Sequence, residues 1–141
     1  MSAELTWRGP FGNTEIHRLH AEAFGTRVFT AQEWDWVAQV ARHSAGWVVA
    51  RDGEELVGFV NVVSDGVVHA WLQDVMVAVG SRHGGLGRQL VATAAAAARA
   101  AGHEWLHVDF EDHLRPFYLD ACGFRRTDAG LIRLSGTAVS R

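Results

Sequence analysis

Residues 82–88, Arg-His-Gly-Gly-Leu-Gly-Arg, follow an apolar run over 75–79 and lead directly into a long alanine-rich stretch. The chemistry of such a segment is anion binding. Glycines let the backbone approach a ligand closely. Successive N–H groups converge, and a following helix N-terminus adds partial positive charge. Arg82 and Arg88 flank the turn and His83 sits within it. A pyrophosphate suits this place.

The bulk properties narrow the ligand. At 141 residues the chain is read as one domain over 1–141, long enough to bury a substantial core. Hydrophobic residues make up 48% and charged residues 21%, which excludes a disordered chain. The formal net charge is −3 and no basic stripe is present, which argues against nucleic acid as a partner. Cys122 is the single cysteine, so no internal disulfide framework exists and a reducing, cytoplasmic setting is expected. Met1-Ser2-Ala3-Glu4 has neither a basic start nor an apolar core, so no signal peptide is read there. The apolar stretch around Ala94 ends at Arg99 and is too short to span a bilayer, so no membrane partner is expected.

The elements that must position the turn can be read in order. Residues 5–8 form a short strand, broken by Gly9-Pro10. Asn13 or Thr14 caps a helix with Ile16, Leu19 and Ala23 at helical spacing, and Gly25 ends it. Thr30 and Glu33 make a capping box for a second helix. Its buried face carries Trp34, Val37, Ala38 and Ala41, which leaves Trp36 off that face. Strands at 47–50 and 56–63 are joined by Asp52-Gly53, and Asp65-Gly66 makes a second hairpin. The run 67–79 is too long for one regular strand, which predicts a bulge or bend. The helix over 85–101 places Leu86, Leu90, Ala94, Ala97 and Ala101 in a narrow seam against a sheet. A strand over 105–110, a short helix over 114–121 and a last strand over 126–134 complete the chain. The fold class is therefore α/β with a mixed, mostly antiparallel sheet flanked by helices.

Three glycine-loop patterns compete for the turn. A Walker A loop requires Lys-Ser or Lys-Thr after its last glycine, and Gly87 is followed by Arg88-Gln89. The dinucleotide fingerprint needs a third glycine where Leu90 stands, and too little chain follows Asp109 for a doubly wound domain. The third pattern, Arg-x-x-Gly-x-Gly, is met by Arg82 to Gly87. Here the sequence resembles the GNAT superfamily of N-acetyltransferases over about residues 5–134. Gln73-Asp74-Val75-Met76-Val77 looks like the strand before the family's loop. Pro116-Phe117-Tyr118 through Cys122-Gly123-Phe124 looks like its second signature.

The resemblance implies the GNAT fold and acetyl-CoA as co-substrate. It puts backbone groups of Val75, Met76 and Val77 toward the pantetheine and the acetyl carbonyl. It puts the N–H groups of His83, Gly84, Gly85, Leu86, Gly87 and Arg88 toward the pyrophosphate, with charge from Arg82 and Arg88. Phe117 joins the cofactor-binding set, and His113 stands near the pantetheine in place of the family's asparagine. The implied reaction is transfer of the acetyl group to a primary amine of a small molecule or peptide by direct attack. Tyr118 is then the acid for the thiolate, and Asp74 or Glu111 is the group that takes the amine proton. Asp109, His69 and His107 are further proton acceptors in reach of the same argument. The resemblance also implies a homodimer.

Two departures bear on this. The proline common before the loop is Val79, which changes local stiffness. Four residues separate Tyr118 from Gly123 where the commonest family spacing is three, so either a bulge restores Tyr118 or Leu119 takes its place. The acceptor pocket is expected from Phe24, Phe29, Trp36 and Trp71, with Glu33 and Asp35 able to attract a cationic amine or to complement a helix dipole. His17 and His20, three apart on one helix, lack a third metal ligand, so no metal is assigned. The alternative reading is a CoA-binding domain of the same fold with a sensor or structural role. A polyamine or aminoglycoside acetyltransferase would require an acidic cleft, and the acids are scattered.

Overall fold

β-Branched and aromatic residues in the middle of the chain build a five-stranded sheet in the order β1-β2-β3-β4-β5. The computed structural model describes residues 3–136, which divide into one unit ending at Val108 and a second beginning at Asp109. The first unit comprises β1 (Glu4–Trp7), α1 (Asn13–Phe24), α2 (Trp36–His43), β2 (Ser44–Asp52), β3 (Glu55–Ser64), β4 (His69–Val77), α3 (Leu86–Ala100) and β5 (Trp105–His107). Strands β1 to β4 pair antiparallel, whereas β4 and β5 pair parallel across the α3 crossover. The mixed sheet expected from the sequence is present.

Alternation along β3 assigns the two faces. Phe59 packs with Ile16 and Leu19 of α1, Trp36 and Val40 of α2, and Met76 of β4. Gly58, next in the chain, faces α3. A Cβ there would lie 2.9 Å from Leu90 Cδ1 and 3.1 Å from Ala50 Cβ, so the missing side chain lets α3 settle close to the sheet. The buried α3 positions are Leu86, Leu90, Val91, Ala94 and Ala98. The seam thus continues at Ala98, not at Ala97 and Ala101 as the spacing predicts.

Two helix signals act differently from the sequence expectation. Asn13 does not cap its own helix. Its Oδ1 accepts from the backbone N–H groups of Trp36 and Val37, at 2.8 and 3.3 Å, and its Nδ2 donates to Asp35 Oδ1 at 3.0 Å. The Thr30–Glu33 box forms, with Thr30 N–H donating to Glu33 at 3.1 Å, but it closes only a turn. Helix α2 begins at Trp36 with Asp35 as its cap, whose carboxylate accepts from Ala38 N–H at 3.0 Å.

The second unit holds a 3₁₀ turn at Asp112–Leu114 and a π-helical segment at Pro116–Ala121. The strand expected over 126–134 is not formed. Leu131, Ile132 and Leu134 are 79–91% exposed. Alternating apolar residues supply strand propensity, but a strand exists only when a neighbour takes its hydrogen bonds. Strand β5 also stops at His107, short of the predicted 110.

Candidate functional site

The strand entering the glycine turn carries the bend that its length predicts. Between Asn61↔Gln73 and Phe59↔Met76 the register advances two residues on β3 and three on β4. The extra residue is accommodated at Asp74, whose φ of 57° lies in the left-handed region. Burial pushes the Asp74 carboxyl above its ordinary value. Pairing with β5 covers only His69, Ala70 and Trp71. From Leu72 to Val77, β4 therefore presents a backbone edge with no strand partner among the described residues of this unit. Ala78 N–H donates to Val57 O at 2.8 Å, so on the same ladder Met76 turns its polar groups to Phe59 of β3, whereas Val77 and the bulge residues Asp74 and Val75 stand on the open edge.

The edge runs into the glycine turn. Val79–Ser81 forms a single 3₁₀ turn, closed by Ser81 N–H to Ala78 O at 2.9 Å and Arg82 N–H to Val79 O at 3.3 Å. His83 and Gly85 both have positive φ, 70° and 81°. Gly85 takes the N-cap of α3 in this left-handed conformation, where glycine has no Cβ to strain. Among the described residues no side chain caps this helix end, and no acid lies in its first turn. The amides of Leu86, Gly87 and Arg88 are thus without intrahelical acceptors, at the positive end of a fifteen-residue helix. Arg82, His83 and Arg88 are exposed beside them. Gly80, Ser81, Arg82 and Gly84 also wall a cavity of about 330 Å³, with Leu86, Gln89 and Asp52. The uncapped amides, the left-handed glycine and the two arginines fit a diphosphate.

In the second unit the residue in excess after Tyr118 is absorbed as the sequence allowed. Cys122 N–H donates to Phe117 O at 2.9 Å, five residues back, which is the π-helical pattern. The wider turn leaves Tyr118 buried, at 6% exposed, while Leu119 is half-buried. Tyr118 stacks on Phe110 at 4.8 Å and meets Phe117 and Phe124 edge-on. Burial, reinforced by Cys122 and Asp109, pushes its hydroxyl up to about 12. Phe117 is half-buried. Glu111 and His113 are highly exposed, 3.7 Å apart. Because β5 ends at His107, Asp109 lies beyond the strand and not within it as a strand over 105–110 would place it.

The acceptor candidates separate into two groups. Phe24 and Phe29 belong to an aromatic cluster with His17, His20, Trp34 and Trp36. Within it, burial and then His17 lower the pKa of His20. Trp36 is fully buried, its ring stacked on Trp34 at 4.3 Å, so it is core and not a pocket wall. The reason is phase: α2 starts at Trp36, later than the capping box implies. Within this cluster Trp34, half-buried and hydrogen-bonded through Nε1 to Gln39, is the tryptophan that reaches the surface. Trp71 lies elsewhere, stacked on His107 at 4.9 Å, and His107 shares a 2.8 Å hydrogen bond with His69. This pair begins about 20 Å along β4 from Met76.

Both acids proposed to attract an amine are committed. Arg27 binds Glu33 through both guanidinium nitrogens, at 3.1 and 2.6 Å, and holds its carboxyl down at about 2. Asp35 caps α2. Of the two histidines on α1, His17 bonds through Nε2 to Trp34 O at 2.8 Å. Sequence reasoning overlooked two polar side chains. Asn61 is buried on β3, takes a hydrogen bond from Ser44 and has an Nδ2 with no partner among the described residues. Its signal was a lone amide in an apolar strand. Glu22 reaches from α1 to the start of the glycine turn, a contact with no signal in the sequence.

Comparison with known proteins agrees with this geometry. A family model described as the acetyltransferase (GNAT) family matches residues 13–124. No curated protein matches the chain in sequence. Among solved structures, a protein of Agrobacterium tumefaciens described as an acetyltransferase has TM-score 0.80 at 20% identity, covering 94% of this chain and 99% of its own. A GNAT family N-acetyltransferase of Escherichia coli in complex with CoA has TM-score 0.70 at 20% identity, covering 88% and 69%. An aminoglycoside acetyltransferase from an uncultured soil metagenomic sample, in complex with trehalose, has TM-score 0.70 at 14% identity, covering 96% and 95%. At these identities the structural likeness shows the fold. The family model runs from the first residue of α1 to the phenylalanine after the π segment, and on that match the chain belongs to the GNAT acetyltransferase family.

Proposed function

We propose that the protein transfers the acetyl group of acetyl-CoA to a primary amine of a small molecule or peptide by direct attack. The observation that carries this reading is the β4 edge, without a strand partner among the described residues of its unit, running into the glycine-led start of α3, which no described side chain caps. An extended amide-bearing arm can pair with the first while its diphosphate meets the second. Acetyl-CoA supplies the thioester. The amides of Leu86, Gly87 and Arg88, with Arg82, hold the diphosphate. Backbone groups of Val75 and Val77, which face the open edge, hold the pantetheine, and an N–H there donates to the acetyl carbonyl as negative charge gathers on it; Met76, expected from the sequence to share this role, is bonded to β3 instead. The amine nitrogen bonds to the acetyl carbon, the carbon–sulfur bond breaks, and the electron pair leaves with sulfur.

Tyr118 then gives its proton to that thiolate. A hydroxyl whose pKa is raised to about 12 is fully protonated at neutral pH, as a donor must be. Asp74 takes the ammonium proton, its raised pKa bringing it closer to the working range of a base. Glu111 is the weaker candidate, being exposed to solvent. Phe24, Phe29 and Trp34 flank the acceptor. With Glu33 and Asp35 engaged elsewhere, this surface favours an amine carried on an apolar or aromatic group over a polycation.

A free-thiol release assay with acetyl-CoA across a panel of aromatic, aliphatic and polycationic amines tests the reading. Release is expected with aryl-alkyl amines or peptides that have an aromatic residue beside the amine. Binding of CoA without release on any amine would favour the sensor role instead. Absence of CoA binding would overturn both.

A further inference from the structure

Val79 N–H donates to Glu22 Oε2 at 2.9 Å, joining residues 57 apart in the chain. Val79 opens the 3₁₀ turn that leads into the glycine segment, and the first N–H of such a turn has no acceptor of its own. A proline at this place would have no N–H to satisfy. The chain instead keeps the donor and answers it with a carboxylate, the stronger kind of partner. Glu22 lies in the last turn of α1, where a negative charge opposes the helix dipole, so the helix itself gives no reason for an acid there. On the other side, Ala78 N–H donates to Val57 O at 2.8 Å. The turn is thus pinned to β3 by one bond and to α1 by the next.

We propose that Glu22 is a positioning residue that holds the start of the diphosphate-binding segment in its ligand-ready conformation. The proposal rests on the acetyl-CoA reading for its consequence and on the Glu22–Val79 bond for its mechanism. Losing the bond frees the 3₁₀ turn, so only part of the molecules would present Arg82 and the following amides in place. Apparent CoA affinity falls by that fraction while chemistry at saturation is unchanged.

The test is a double-mutant cycle on the full chain: wild type, Glu22→Ala, Val79→Pro and the pair, with Glu22→Gln as the conservative variant. Proline is sterically allowed at 79, because Ala78 has φ −57° and ψ 141° and Val79 is the first residue of its turn. Two readouts are taken: amide exchange at Ser81 and Arg82 by NMR without ligand, and CoA binding by calorimetry. Glu22→Ala is expected to speed exchange roughly tenfold and to weaken CoA by a several-fold rise in Kd, with kcat at saturating acetyl-CoA unchanged. Glu22→Gln, which keeps the acceptor, stays near wild type. In the Val79→Pro background, Glu22→Ala changes neither readout. Unchanged exchange in Glu22→Ala, or the same change in the Val79→Pro background, overturns the proposal. If the wild type fails to bind CoA, the acetyl-CoA reading falls and the exchange cycle alone decides the role of Glu22.

Discussion

Tyr118 is the chain's single tyrosine, and its neighbours Phe110, Phe117 and Phe124 make it a buried phenol. If it protonates the thiolate, Tyr118→Phe loses about 10²-fold in kcat and keeps the wild-type Kd for CoA, read by thiol release and calorimetry. Wild-type turnover would remove Tyr118 from the mechanism. Asp74 gives a prediction with a pH signature. Its folded pKa is raised by burial, so above the ordinary carboxylate value of 3.8 the folded chain retains a proton that the unfolded chain has lost. Stability therefore falls as pH rises from that value through the raised one. Asparagine tolerates the positive φ and carries no charge. Asp74→Asn is expected to be more stable than wild type at pH 7, with the gap closing as pH falls below about 3.8. Urea unfolding across pH 3–7 measures it, and a gap that does not change with pH would exclude desolvation as its cause.

At the scale of elements, the π segment and β2 carry separate predictions. The segment Pro116–Ala121 accommodates one residue more than an α-helical turn would. Deleting the exposed Asp120 returns three residues between Tyr118 and Gly123, and lets the segment wind as an α-helix. The shortened chain is expected to retain thiol release with an unchanged or higher Tm. Loss of activity without loss of stability would mean the π turn is itself required. On β2, a Cβ at Gly46 would lie 2.1 Å from Trp7 Cζ2, inside the tryptophan ring's own space. Gly46→Ala should cost about 1–3 kcal/mol by overpacking β1 against β2, seen as a lower Tm.

For the whole molecule, ligand linkage gives the broadest check. CoA that binds only the folded chain at a hundred times its Kd adds about 2.7 kcal/mol, which for a chain of this size raises Tm by roughly 5–10 °C. The shift should diminish with added salt if the diphosphate contacts are charged. An unchanged Tm would sink the proposed ligand.

Local patterns determined much of this protein. The three hairpin-linked strands, the bulge in the overlong fourth, the helix after the glycines and the family itself were legible, because strand alternation, glycine turns and motif spacing are properties of neighbours in the chain. The misreadings lie where partners are distant. Trp36 reads as off the buried face until Asp35 caps α2, supported by Asn13 from another helix, and sets its start. Residues 126–134 read as a strand because propensity is local, whereas strand formation needs a partner. Whether Tyr118 or Leu119 is the buried residue depended on a hydrogen-bond pattern that spacing leaves open. Only the tertiary structure decided it, through the Cys122-to-Phe117 bond and the three phenylalanines. The Glu22–Val79 bond belongs to the same class: the sequence marks Val79 only as a departure before the loop and gives Glu22 no role, and folding brings together a donor without an acceptor and a carboxylate with no role in its own helix.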